Sequence, residues 1–222
     1  MRKRHVLLIL GCLLLPLRPA AADYRVDLIV TLNRNASPDV VQTLGSAVQP
    51  PAVRAAIDID DRPGLQRAGI RLLPDGQFGL DSEWRKLRNS RFRPVLRLAW
   101  HVAPRPTATA VRFHDTLRYQ LHSTIDLATG KPVGTPSFEL HRLDGTLLVQ
   151  QSAGLRVSLN LNYTLPVNAP PADYPSSSSS IAISTAELAT LNLKAEKRVN
   201  LGQTHFFDHP LLGVLLRVSP AN

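Results

Sequence analysis

Polar and apolar positions alternate with period two over much of this chain. The longest such run is 155–165, where Leu155, Val157, Leu159, Leu161 and Tyr163 fall on one side and Arg156, Ser158, Asn160 and Asn162 on the other. Successive side chains of a strand point to opposite faces, so this run predicts a strand with one buried and one wet face. Leu96, Leu98 and Trp100 alternate with Arg97, Ala99 and His101 over 94–102, and Val26, Leu28 and Val30 alternate with Arg25, Asp27 and Ile29 over 24–32. Shorter or mixed strands are predicted at 110–114, 117–125, 191–201 and 214–218. Asp144-Gly145 lies between the strand-like runs 138–143 and 146–150. That dipeptide predicts a two-residue hairpin, because a type I′ turn needs φ > 0 at both central positions. Gly154 then separates off the strand at 155–165.

A different period occurs at 81–90, which predicts a helix capped by Asp81 or Ser82, with Glu83 in the first turn where the helix dipole favours an acid. Trp84 and Leu87 share one face. Arg85, Lys86, Arg88, Arg91 and Arg93 form a basic cluster beside Trp84. Residues 33–79 break the alternation with Pro38, Pro50, Pro51, Pro63 and Pro74. They predict an irregular insertion of loops and turns, with short helices at 38–44, capped by Ser37, and at 52–57. Residues 166–180 carry Pro170-Pro171, Pro175 and five consecutive serines, which predict a flexible surface loop. No Gly-x-Ser-x-Gly elbow surrounds those serines, so none is assigned a nucleophilic role. The many single-faced strands predict an α+β domain over 23–222, mainly antiparallel β-sheet with one or more helices packed on one face.

Residues 1–22 change the picture. Arg2, Lys3 and Arg4 precede an apolar stretch at 6–17, and Ala20-Ala21-Ala22 offers a small-residue cleavage site. This predicts a signal peptide cleaved after Ala22 and an exported protein. The stretch is too short to span a bilayer, and no later one is apolar enough, so the exported chain is not expected to be membrane-spanning. A lipoprotein signal acylated at Cys12 is the alternative. Cys12 is the only cysteine. Cleavage leaves 200 residues without a thiol, which excludes disulfides and thiolate metal sites. The formal net charge of +9 falls to +5 once the four basic residues of 1–22 are removed. A mildly basic surface favours anionic partners such as wall carboxylates, acidic headgroups or an acidic protein face, and export sets nucleic acid aside.

Candidate chemistry concentrates at 203–213, where His205, Phe206, Phe207, Asp208, His209 and Pro210 lie together before an apolar strand. Pro210 and Gly213 suit a hairpin connection, Gly213 by taking φ > 0. Two readings stand. The histidines and Asp208 cap a tight corner, or they form a site on a rigid scaffold. A zinc site needs His205 and His209 on one helical face, which Pro210 opposes, so no metal and no cofactor are expected. Asp58, Asp60 and Asp61 sit in the irregular region and read as solvated acids. Nothing makes a case for an enzyme.

The chain resembles the CsiV-type family of periplasmic peptidoglycan-binding proteins. The resemblance rests on residues 24–30 and on Leu87-Arg88-Asn89-Ser90 leading into 95–100. It rests further on Leu143-Asp144-Gly145 followed by 155–161, and on Lys197-Arg198 leading to His205–Gly213. It implies a non-enzymatic factor that binds peptidoglycan and supports cell-wall synthesis, with an outer-membrane lipoprotein activator of a class A penicillin-binding protein as partner. A docking or assembly factor without direct wall contact is the alternative. The wall offers carboxylates to arginine and sugar faces to aromatic rings, so the candidate ligand-binding residues are Trp84, Arg88, Trp100, His205, Phe207, Asp208 and His209.

Overall fold

The computed structural model describes residues 23–33, 55–103, 108–122, 126, 128–129, 133, 138–152, 154–166, 180–184 and 188–221. Its strands are β1 (Tyr24–Asn33), β2 (Ala56–Asp58), β3 (Ile70–Leu72), β4 (Phe92–Val102), β5 (Ala110–His114), β6 (Arg118–His122) and β7 (Phe138–His141). They continue with β8 (Leu143–Ser152), β9 (Gly154–Pro166), β10 (Ser180–Ser184), β11 (Leu188–Arg198), β12 (Thr204–Asp208) and β13 (Leu212–Pro220). Two short helices, α1 (Arg62–Arg67) and α2 (Asp81–Arg88), and a 3-10 turn at Asp75–Gln77 complete the described elements. The arrangement is α+β and mainly antiparallel, as the alternation predicts.

The first sheet runs β12-β13-β1-β4-β3 and the second β11-β9-β8-β5-β2. Their apolar sides face each other across one core. Val26, Leu28, Val30, Trp100, Val214, Leu216 and Val218 come from the first sheet, and Phe113, Leu147, Val157, Leu159, Leu161 and Tyr163 from the second. The residues that alternate in the sequence are therefore the ones that interdigitate. A third sheet, β10-β6-β7, packs its own small cluster of Leu117, Tyr119, Leu140 and Leu188. The buried pair Asp115–Arg142 (2.6 Å) stands where it meets the second sheet, with Asp115 also accepting the Leu143 N–H. Burial pushes the Asp115 carboxyl up, against the pull of Arg142.

Several local expectations change. Asp144-Gly145 makes no hairpin: both residues lie inside β8, opposite Asn162 and Leu161 of β9, and neither takes positive φ. Tertiary contacts override the turn signal. Arg112 donates to both oxygens of Asp144 (2.9 and 2.7 Å), and a Cβ at position 145 would stand 2.9 Å from the Phe113 ring and from Leu161 Cδ1. The glycine is there for close packing. Gly145→Val is expected to destabilise the protein by about 1–3 kcal/mol through overpacking, read as a lower urea midpoint. A chain that turned at this dipeptide would leave the valine free of that contact.

Helix α2 is not capped by Asp81 or Ser82. Leu80 takes the N-cap position, where its apolar side chain can accept no bond, while Asp81, one residue inside the helix, pairs with Arg85 (3.2 Å) and Arg97 (3.4 Å). Residues 56 and 57, expected in a helix, belong to β2, which runs parallel to β5. The described part of the irregular insertion, 55–79, holds β2, α1, β3 and the 3-10 turn. Asp61 caps α1 by accepting the Gly64 N–H (2.9 Å), with proline in the first turn. The predicted helix at 38–44 and residues 167–179 of the predicted loop at 166–180 lie outside the described residues; of the loop's ends, Pro166 closes β9 and Ser180 opens β10. No helix among the described residues is long and apolar enough to cross a membrane.

Candidate functional site

The outer face of the first sheet, turned away from the shared core, carries the most chemistry. Its strands present Ile29, Ala99 and Leu215 there, and Trp84 and Leu87 of α2 cover them together with Phe78 and Leu80. The segment leading into α2 is fastened from below. Asp27 accepts the Gly79 N–H (2.7 Å) and two bonds from Arg25 (2.9 Å each), while Arg25 and Arg217 donate to the carbonyls of Gln77 and Gly79. Arg97 pairs with Asp75 (3.1 Å) and lies over the rings of Phe78 and Trp84. Trp84 is thus a half-buried packing partner of Arg97 and of the sheet.

Anchoring α2 in this way turns its basic side outward. Arg85, Arg88, Asn89, Arg93 and Pro94 line an open groove of about 630 Å³ between the end of α2 and the start of β4. No acid lines it. Beside it, Arg91 stacks on Phe92 at 4.8 Å, and Phe92 meets Phe206 edge to face, with centroids 5.9 Å apart. Phe206 is 40% exposed. Its ring reaches Phe92 by lying over Gly213, where a Cβ would come within 2.7 Å of both the ring and Thr31 Oγ1. Gly213 is an ordinary strand residue without positive φ, so its value lies in that space and not in turn conformation. A charged groove with an exposed ring at its margin can grip an anion by bidentate guanidinium bonds and pack a sugar or peptide against the aromatic edge.

The sequence candidates divide. Arg88 lines the groove, and Trp84 lies on the same helix one turn earlier. Trp100 is 1% exposed and Phe207 is buried, both in the shared core, so neither has a face to offer a ligand. Phe207 opposes Val214, a core residue, whereas Phe206 opposes Leu215 on the outer face. That parity was the available signal for Phe206, and it needed only the orientation of β13. His205 Nε2 accepts the Asn200 N–H (3.1 Å) and His209 Nδ1 accepts the Leu211 N–H (3.2 Å). Both histidines therefore hold turns, and burial pushes the His209 imidazole below its usual range. Asp208 ends β12, exposed on the outer face.

Against known proteins, a family model described as "Peptidoglycan-binding protein, CsiV" matches residues 4–221, nearly the whole chain. No curated protein and no solved structure matches.

Proposed function

Because the chain belongs to the CsiV family of peptidoglycan-binding proteins, we propose that it binds the wall through the groove of Arg85, Arg88, Asn89 and Arg93, with Phe206 and Phe92 as its aromatic margin. The observation that carries this reading is the gathering of three guanidiniums on one outward groove with no acid among its lining residues. Stem peptides of peptidoglycan carry free carboxylates, and a planar guanidinium matches a carboxylate with two parallel bonds. The protein acts as a non-catalytic factor in the periplasm, exported by residues 1–22 and cleaved after Ala22. There it supports wall synthesis by engaging an outer-membrane lipoprotein activator of a class A penicillin-binding protein.

The test is co-sedimentation of residues 23–222 with purified sacculi at low and high salt. Wild type pellets, and salt weakens it because exposed charges are screened. Arg85→Glu/Arg88→Glu loses affinity by about ten-fold or more, each lost charge-assisted bond being worth roughly 1.5–3 kcal/mol. Both side chains are exposed and glutamate is a good helix former, so the fold stays intact. Pelleting unchanged in the double variant removes the groove from the reading. The alternative, a docking factor that never touches the wall, draws on β12, which pairs only with β13 among the described strands and leaves an edge beside exposed Phe206. It is favoured if no pelleting occurs at any salt.

A further inference from the structure

A second cluster, unconnected with the groove, lies at the β2 edge of the second sheet. The pairing of β2 with β5 brings Asp58 beside Arg112, and the chain then turns so that Asp60 also faces β5. His114, at the end of β5 and 10% exposed in its side chain, points Nε2 at Asp58 Oδ1 (3.3 Å) and Asp60 Oδ2 (3.4 Å). Its other nitrogen, Nδ1, lies 3.1 Å from the main-chain oxygen of Asp115. A carbonyl oxygen only accepts, so Nδ1 holds the proton. In a neutral imidazole Nε2 then carries a lone pair, and it faces two further acceptors. Three lone-pair-bearing atoms converge, and no side-chain donor stands between them; the one N–H that reaches them is the backbone N–H of Asp60, on Asp58 Oδ1.

Neighbouring groups leave that gap unfilled while fixing its walls. Arg112 donates through Nη1 to the other oxygen of Asp58, Oδ2 (3.0 Å), and spends Nε and Nη2 on Asp144. The Asp60 N–H donates to Asp58 Oδ1 (2.9 Å), and the Ile59 N–H to the Arg112 carbonyl (2.9 Å), so the turn is held to β5. The His114 ring stacks on His141 at 3.9 Å, and His141 Nδ1 bonds the same Asp115 oxygen (2.9 Å). The imidazole is therefore fixed in tautomer and in plane. A metal-binding histidine is oriented in the same way, by an N–H bond from its far nitrogen to a carbonyl.

We propose that His114 Nε2, Asp58 Oδ1 and Asp60 Oδ2 bind one divalent transition-metal cation of the zinc class, with water completing its coordination. Zinc bonds of about 2.0–2.2 Å at tetrahedral angles separate neighbouring ligand atoms by about 3.3–3.6 Å. The 3.3 and 3.4 Å separations at Nε2 have that size. One imidazole with two carboxylates suits zinc better than calcium or magnesium, which take oxygen ligands. The Asp60 side chain is 72% exposed, which gives the cation its way in. The bound ion clips the three-residue edge strand β2 to β5, so its effect is structural and shows in stability.

The experiment is calorimetric titration of chelator-treated, untagged residues 23–222, which hold every described strand and helix, with zinc salt. It is run beside Asp60→Asn and His114→Gln, with melting temperatures taken with and without zinc. Expected are one zinc per chain, a melting temperature raised by zinc, and affinity weakened by about ten-fold or more in Asp60→Asn. His114→Gln abolishes binding. Asp60→Asn changes an exposed side chain, so it folds whatever happens to His114→Gln. No zinc uptake by wild type overturns the proposal and assigns the gap to a proton on His114. Uptake unchanged in Asp60→Asn overturns it equally, since the metal then sits elsewhere.

Discussion

Trp100→Ala is expected to cost about 3–5 kcal/mol of stability, the range for truncating a large buried aromatic, and to leave wall binding intact in whatever fraction stays folded. Trp100 stands on β4 between Val26 of β1 and Leu72 of β3 and is 1% exposed within the core shared by the two large sheets. Removing its indole opens a cavity that strands on both sides, fixed in register, cannot close. A urea titration reads the loss as a lower midpoint at unchanged slope. Trp100→Phe keeps most of the volume and should cost less. Sacculus pelleting of that variant at the wild-type level would show that the residue packs and does not bind. Pelleting lost in Trp100→Phe at wild-type stability would return Trp100 to the ligand site.

Asp27→Ala is expected to cost about 3 kcal/mol, the lower end of the range for breaking a buried ion pair, and to weaken wall binding without altering any groove residue. Asp27 is fully buried, while its partner Arg25 keeps a quarter of its side chain in water, which softens the penalty of orphaning the cation. The carboxylate also accepts the Gly79 N–H, one of the bonds that seat the segment before α2. Without it, Trp84 and Leu87 lose their fixed placement over Ile29 and Ala99, and the guanidiniums of Arg85 and Arg88 lose their common orientation. Asp27→Asn keeps an acceptor for Gly79 but drops the charge, so it should fall between wild type and Asp27→Ala in both urea stability and pelleting. Full binding by Asp27→Ala would mean that the groove does not depend on this anchor.

The uneven legibility of the site has a physical cause. The basic cluster of 85–93 is visible because a helix and the strand after it place neighbouring residues near one another, and Arg88 was found that way. Phe206 was missed in favour of Phe207 because two adjacent aromatics differ only in which face they take, and that depends on the partner strand. Asp144-Gly145 carries the residue pair of a tight turn, yet Arg112, Phe113 and Leu161 hold it extended. A local preference worth about 1 kcal/mol yields to a bidentate ion pair and close core packing.

By itself, the sequence determined where the long alternating strands at 24–32, 94–102 and 155–165 run and which of their side chains share a face, because alternation is a local, period-two property that any packing must respect. It also determined the net positive charge and the family resemblance. The tertiary structure alone decided that the apolar faces of two sheets pack on each other while α2 covers an outer face. It alone decided that Phe206 crosses Gly213 to reach Phe92, and that Asp58 and Asp60 meet His114 from 56 and 54 positions away. Such encounters depend on strand order and on the space a missing side chain leaves, and no local periodicity encodes either.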